Sequence, residues 1–301
     1  MLAWSSGGAV TVPTTVQIRV QRSYPGRIRG KAPVPTRSMD PSEITDNLRH
    51  FTVGLDTPRS TPCTSLVLSG VGVAARPDTP DAIELARSLG MGRIVLHAGV
   101  EDLEAMPVER LAGKVTELVV PVQPGSLVEA GRLLARATAD GFVVVANTVL
   151  SEQALGELEA TARILAGARP AKATLTYPFP VNGADATSAP PPQRAVSALR
   201  AAVDTLERAG VAVAIKGLPA CYLGSDWRLL ARSHNRWYVD ADHQKEKALL
   251  FFPTVVAFHK DEVCRFCALD DRCDGFFAAY LHRPGTPPLS PVETVLEETG
   301  R

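Results

Sequence analysis

Four cysteines in the last third of the chain, Cys221, Cys264, Cys267 and Cys273, form a C…C-x2-C-x5-C set whose chemistry is metal binding. Four thiolates fill the coordination shell of a four-iron four-sulfur (4Fe-4S) cluster or of a structural zinc. Zinc sites usually present two close cysteine pairs; here one ligand is remote and one gap is long, which favours iron and sulfur. Cys63, after Pro62 and before an apolar run, reads as a small buried hydrophobe. Upstream of Cys221 it stands alone, so no second three-thiolate site can be built there. His259 and His282 flank the cysteine set and read as supporting or solvated groups, and His97, ending a predicted strand, as a structural histidine. The stretch Asn235-Arg236-Trp237-Tyr238 reads as aromatic packing with an exposed arginine, with grip on an anion or peptide as the sharper alternative.

Something must hold those thiols in place. Between residues 15 and 216 short β-rich runs alternate with amphipathic stretches, the signature of parallel βα units. Strands are predicted at 15–20, 65–68, 93–97, 117–122, 142–147, 173–177 and 211–216, several of them nearly continuous Val, Ile and Leu. Asp40-Pro41-Ser42-Glu43 combines an N-cap, a first-turn proline and a capping-box carboxylate, and Thr79-Pro80-Asp81 and Ser151-Glu152 repeat parts of that logic. Leu155, Leu158, Ala162 and Leu165 make one helical stripe, and Val196, Leu199, Val203 and Leu206 another. Gly90, Gly141 and Gly210 sit where C-terminal caps belong.

Two segments break the alternation. Residues 21–38 form a long loop after the first strand, carrying Arg22, Arg27, Arg29, Lys31 and Arg37, a run that reads as solvated surface. Residues 181–192 read as a flexible surface linker. After Lys216 the character changes: strands are predicted at 237–239 and 251–256, the close-set cysteines follow, and the residues after Pro284 read as a tail. Neither a Walker A loop nor a GxGxxG is present.

Composition narrows the classes. Lys and Arg total 32 and Asp and Glu total 32, so no net charge argues for nucleic acid or an anionic membrane. The first twelve residues lack the features of a signal peptide, and the longest apolar run, 248–258, is broken by Pro253 and too short to span a bilayer. The expected setting is the cytoplasm, where thiols stay reduced and a clustered cysteine set is a metal site rather than a disulfide framework.

The order of elements carries a resemblance. Ser69-Gly70-Val71-Gly72 follows the second strand, Val145-Ala146-Asn147-Thr148-Val149-Leu150 ends a later one, and Leu218-Pro219-Ala220-Cys221 leads to C-x2-C-x5-C-x-G, closing at Gly275. Over roughly residues 15–281 the chain resembles a radical S-adenosylmethionine (SAM) protein with a SPASM or twitch auxiliary domain. The resemblance implies an α/β fold: a partial (β/α)6 TIM-like barrel over 15–217, between an N-terminal tail (1–14) and a small iron-sulfur domain (218–283) followed by a C-terminal tail (284–301). It implies an auxiliary 4Fe-4S cluster on Cys221, Cys264, Cys267 and Cys273, with zinc as the alternative, and a degenerate SAM motif at Ser69, Gly70 and Gly72. Members of that family hold the SAM-cleaving cluster on a CxxxCxxC loop after the first strand; here residues 21–38 contain no cysteine, so SAM is not an expected cofactor. The expectation is a non-catalytic partner, substrate-binding or electron-transfer subunit of a maturation system, working with a radical SAM enzyme or its peptide substrate. The alternatives are an enzyme that uses SAM or another small molecule for non-radical chemistry, although no paired carboxylates or nucleophile–base set supports it, and a zinc-stapled interaction module.

Overall fold

A computed structural model of the chain describes residues 2–5, 8–21, 37–53, 61–180, 189–251 and 258–293. Strands β1 (Leu2–Ser5) and β2 (Gly8–Thr11) form an antiparallel pair. Strand and helix then alternate through β3 (Thr15–Arg19), α1 (Pro41–Thr52), β4 (Ser65–Ser69), α2 (Thr79–Ser88), β5 (Arg93–His97), the short α3 (Asp102–Ala105) and α4 (Val108–Leu111), and β6 (Glu117–Pro121). The series continues with α5 (Leu127–Ala139), β7 (Val144–Val149), α6 (Glu152–Ala168), β8 (Lys172–Thr176), α7 (Pro192–Arg208) and β9 (Ala212–Lys216). Beyond it lie α8 (Ala220–Leu223), β10 (Arg236–Val239), β11 (Leu249–Phe251), β12 (Phe258–His259), β13 (Phe276–Phe277) and α9 (Ala278–Leu281).

The main sheet runs β11-β10-β3-β4-β5-β6-β7-β8-β9. Registers are parallel from β10 through β6 and between β8 and β9, and β11 is antiparallel to β10. The fold is therefore mixed α/β, with sequential strands as neighbours, as short βα crossovers require. All seven strands expected between residues 15 and 216 form, each within two residues of its expected bounds. The largest shift is at β7, which starts at Val144 rather than residue 142. Its cause is the helix before it: Gly141 has φ 87° and the Phe142 N–H bonds back to the Ala137 carbonyl at 3.1 Å, so both residues cap α5 before the strand begins. Gly90 and Gly210 make the same closure, through Met91 to Ala86 and Val211 to Leu206.

Residues 236–251, grouped by their sequence position with the cysteine segment, join the main sheet instead. Trp237, Tyr238 and Val239 pair with Val16, Gln17 and Ile18 of β3. Arg236 is half-buried rather than exposed, with its guanidinium over the Phe251 ring at 5.2 Å, and burial holds its pKa below the ordinary arginine value. Residues 252–257, the rest of the strand expected there, lie outside the described residues.

By internal contacts the chain divides into two units: Met1–Pro121, Arg132–Val145 and Asn235–Phe251 in the first, and Val122–Gly131, Ala146–His234 and Phe252–Arg301 in the second. In the first, Val16, Ile18, Leu66, Leu68, Ile94 and Leu96 are sealed from solvent. Helix α1 is tied to the stretch before β11 by a polar network around Glu43. That carboxylate accepts from the Asp40 N–H (2.9 Å), Arg37 (2.8 Å) and the Gln244 side chain (2.8 Å), while Asn47 accepts from the Lys245 N–H at 2.8 Å. The Arg37 hydrogen bond leads in holding the Glu43 pKa down at about 2. A depressed carboxylate contributes stability above its unfolded value of about 4.3 and loses it as pH falls through the folded value. Glu43→Gln is thus expected to cost about 1 kcal/mol near neutrality, discounted because Arg37 is half-exposed, and nothing near pH 2. Urea unfolding of both proteins at pH 7 and pH 2.5 checks this; a constant difference across that range would refute it.

In the second unit the predicted stripes form. Leu155, Leu158, Ala162 and Leu165 of α6 and Val196, Leu199, Val203 and Leu206 of α7 are all buried, at about 2 kcal/mol per large aliphatic side chain. Ser151 caps α6 by accepting from the Ala154 N–H at 3.2 Å. The expected linker ends on a buried anchor: Ala189 and Pro190 are enclosed, and Tyr177 donates its hydroxyl hydrogen to the Pro190 carbonyl at 2.5 Å. Residues 181–188 lie outside the described residues. Among the described residues no helix is long and apolar enough to cross a membrane.

Candidate metal centre

The cysteines are brought together by an aromatic cluster that fastens the end of the chain to the strands of the second unit. Phe276 lies 5.6 Å from Tyr177 and 5.4 Å from Tyr222 between ring centroids, and Tyr280 meets Tyr177 edge-on at 5.4 Å. Phe258 stacks on Phe277 at 4.3 Å across the β12–β13 pair. Gly217, at φ 81°, lets the chain turn out of β9 under the Phe277 ring, where a Cβ would stand 2.9 Å from that ring. The turn delivers Pro219, Ala220 and Cys221.

Cys264 lies in a 3-10 turn (Glu262–Phe266) and Cys267 ends it. Cys273 is buried in a small core with Ala220 and Leu269, against which Trp227, Leu230, Cys267 and Val292 pack. All four thiols, none of them in a disulfide, line one cavity with Pro219, Lys260, Asp270 and Leu289. The loop from Cys267 to Cys273 is held on its outer side by Asp274, which accepts from Arg232 at 3.0 Å and from the Ser233 N–H at 2.6 Å. Gly275 has φ 90°, and a Cβ there would stand 2.2 Å from the His259 carbonyl oxygen. Only glycine lets the two short strands meet.

Backbone N–H groups point at the sulfurs. Cys273 Sγ accepts from Ala220 (3.4 Å) and Gly275 (3.3 Å), and Cys267 Sγ from Leu269 (3.4 Å) and Val292 (3.3 Å). Burial raises the pKa values of Cys221 and Cys264, neighbouring thiols raise them further, and backbone groups of Ser290 and Asp261 respectively pull them down. Burial thus disfavours the thiolate forms of Cys221 and Cys264 unless a nearby cation compensates their charge. Among the described residues no three His, Cys, Asp or Glu side chains are gathered closely enough to hold a single metal ion.

The other singled-out residues are elsewhere. Cys63 is buried, its sulfur 3.9 Å from the Pro13 carbonyl oxygen and its pKa pushed up to about 12 by burial. His259 is exposed and paired with Asp261 at 2.9 Å, and His282 is exposed. His97 ends β5. In the first unit Ser69 is buried at the end of β4 and accepts from the Gln17 side chain at 3.1 Å. Gly70, at φ 130°, lies so near the chain leaving β3 that a Cβ would meet the Gln21 nitrogen at 2.7 Å, and Gly72 adopts φ 68°. Residues 22–36, with most of the basic loop, lie outside the described residues. What sequence reasoning missed is the stretch after Pro284, where Leu289 lines the thiol cavity and Ser290 and Val292 turn their backbones to the sulfurs. The signal available was Leu289 and Val292, two apolar residues among prolines.

Solved structures share this fold. The crystal structure of Streptococcus suis SuiB bound to S-adenosylmethionine matches 93% of this chain and 76% of its own, with a TM-score of 0.57 and 10% identity. SuiB bound to precursor peptide SuiA matches 77% of this chain and 58% of its own, with a TM-score of 0.53 and 10% identity. A further SuiB structure matches 89% and 67%, with a TM-score of 0.54 and 10% identity. No protein-family model and no curated protein matches the chain. At this identity the likeness is one of fold.

Proposed function

We propose that the chain holds one auxiliary 4Fe-4S cluster on Cys221, Cys264, Cys267 and Cys273, in a small cysteine-rich domain, and serves as a substrate-binding or electron-transfer partner in a radical SAM peptide-modification system. The observation that carries the reading is the single cavity lined by four free thiols and approached by backbone N–H groups. A tetrahedral zinc holds its thiolates at about 2.3 Å and hence about 3.8 Å from one another. In a cluster each thiolate binds a different iron, so the sulfurs stand apart around the whole cube. Four thiols lining one cavity would give each iron of such a cluster its own ligand. When bound, such a cluster supplies one-electron chemistry at a potential tuned by hydrogen bonds to its sulfurs. This chain's residues hold, shield and hydrogen-bond it.

The peptide context rests on the shared fold with a protein that binds SAM and a precursor peptide. The partner role rests on the sequence: no cysteine occurs in residues 1–62, so this chain has no thiolates at the place where the family it resembles mounts its SAM-cleaving cluster. Anaerobic purification is expected to yield a brown protein with about four iron and four sulfide per chain. The same reduced preparation, given SAM, is expected to form no 5′-deoxyadenosine above background. One zinc per chain would replace the cluster with a structural ion, and sustained SAM cleavage would overturn the partner role.

A further inference from the structure

Cys221 stands between two cavities. On one side is the space shared with the other thiols; on the other is a cleft of about 340 Å3, walled by α7, Tyr222 and the chain around Pro287. That volume is within the range of ligand sites. Helix α7 contributes Gln193, Ser197 and Arg200, which fall on one face and span about 10 Å, the length of about three residues of extended chain. The lining contains one cation, Arg200, and no carboxylate. Among the described residues Arg200 has no ion-pair partner. Tyr222 is held in the wall by donating its hydroxyl hydrogen to the Pro287 carbonyl.

We infer that this cleft binds an acidic segment of an extended peptide, with Arg200 taking a carboxylate side chain and Gln193 and Ser197 offering hydrogen bonds to the peptide backbone. A guanidinium pairs with a carboxylate through two parallel hydrogen bonds, and an amide side chain complements a peptide group. The proline and tyrosine wall supplies the apolar surface against which an extended chain lies. The inference deepens the substrate-binding half of the proposed function and puts the peptide against the outer side of Cys221.

The test is fluorescence anisotropy of the full chain with a short fluorescein-labelled peptide of alternating alanine and glutamate. Saturable binding is expected, weakened about fivefold by Arg200→Gln, the order expected for an exposed charge pair, and weakened less by Arg200→Lys. Replacing the peptide's glutamates with glutamines should weaken binding to the unmodified chain by a similar factor. Equal affinity of wild type and Arg200→Gln, or no saturable binding, overturns the site. Acetate competing at the same concentrations as the peptide overturns the peptide assignment in favour of a small carboxylate. In the cluster-loaded protein, peptide should also shift the electron paramagnetic resonance of the reduced cluster, and Arg200→Gln should move the midpoint of that shift to about fivefold higher peptide. Binding is read with or without metal, so a colourless protein that binds refutes the cluster alone, and a brown protein that does not bind refutes this site alone.

Discussion

Cys267→Ala is expected to purify colourless, with iron falling from about four per chain to a small remainder, while Cys63→Ala stays brown with its iron intact. The contrast follows from where the two sulfurs are. Cys267 borders the shared cavity and accepts two backbone N–H groups, from Leu269 and Val292, which lose their acceptor when the sulfur goes. Three thiolates would leave one iron of the proposed cluster without a protein ligand, and the residues around it would lose metal-binding energy that supports their folding. Cys63 is a buried, apolar-sited thiol with its pKa pushed up to about 12, poorly suited to bind metal as thiolate. Its removal creates a small cavity costing about 1 kcal/mol and leaves the chromophore alone. Iron and sulfide analysis with visible absorbance reads both variants. A bleached Cys63→Ala beside a brown Cys267→Ala would reverse the ligand assignment.

Gly275→Ala is expected to cost about 3 kcal/mol or more, and Gly156→Ala to stabilise by about 0.5–1 kcal/mol. At Gly275 the added methyl carbon has nowhere to go: it would stand 2.2 Å from a backbone oxygen, on a residue whose φ of 90° already disfavours a side chain. Relief requires parting β12 from β13, which also moves the Gly275 N–H off Cys273 Sγ. Gly156 lies in α6 with open space around its Cβ position, so alanine there adds helix propensity and little else. Urea titrations give both differences. Hydrogen exchange should localise the Gly275→Ala loss to residues 258–283. A Gly275→Ala protein as stable as its parent would mean that the two strands do not meet as described.

The contrast between these glycines marks what could be read from the residues alone. Both are single letters in the sequence; the approach of His259 and the left-handed backbone at Gly275 distinguish them. The βα series was legible because burial on both faces of a strand selects continuous Val, Ile and Leu, and because Gly90, Gly141 and Gly210 mark helix ends through their own conformational freedom. That Cys221, Cys264, Cys267 and Cys273 come to line one cavity could be expected because a ligand set is recognised by side-chain type and spacing. The place of β10 and β11 in the main sheet was not foreseen, since β10 pairs with β3, more than two hundred residues earlier, and β11 follows on β10, and no local pattern records that long-range pairing. The donors from Ser290 and Val292 were missed for a related reason. They act through the peptide backbone, which every residue type but proline can supply.

The wide separation of the groups around the thiol cavity has a consequence for synthesis. Cys221 emerges from the ribosome first, Cys264, Cys267 and Cys273 follow as a group, and the Val292 N–H that faces Cys267 comes last. Until residues 264–273 have been made, Cys221 waits without its three companion thiols. A metal shared by all four would therefore be enclosed only once the chain has grown some seventy residues past Cys221, to the Val292 N–H.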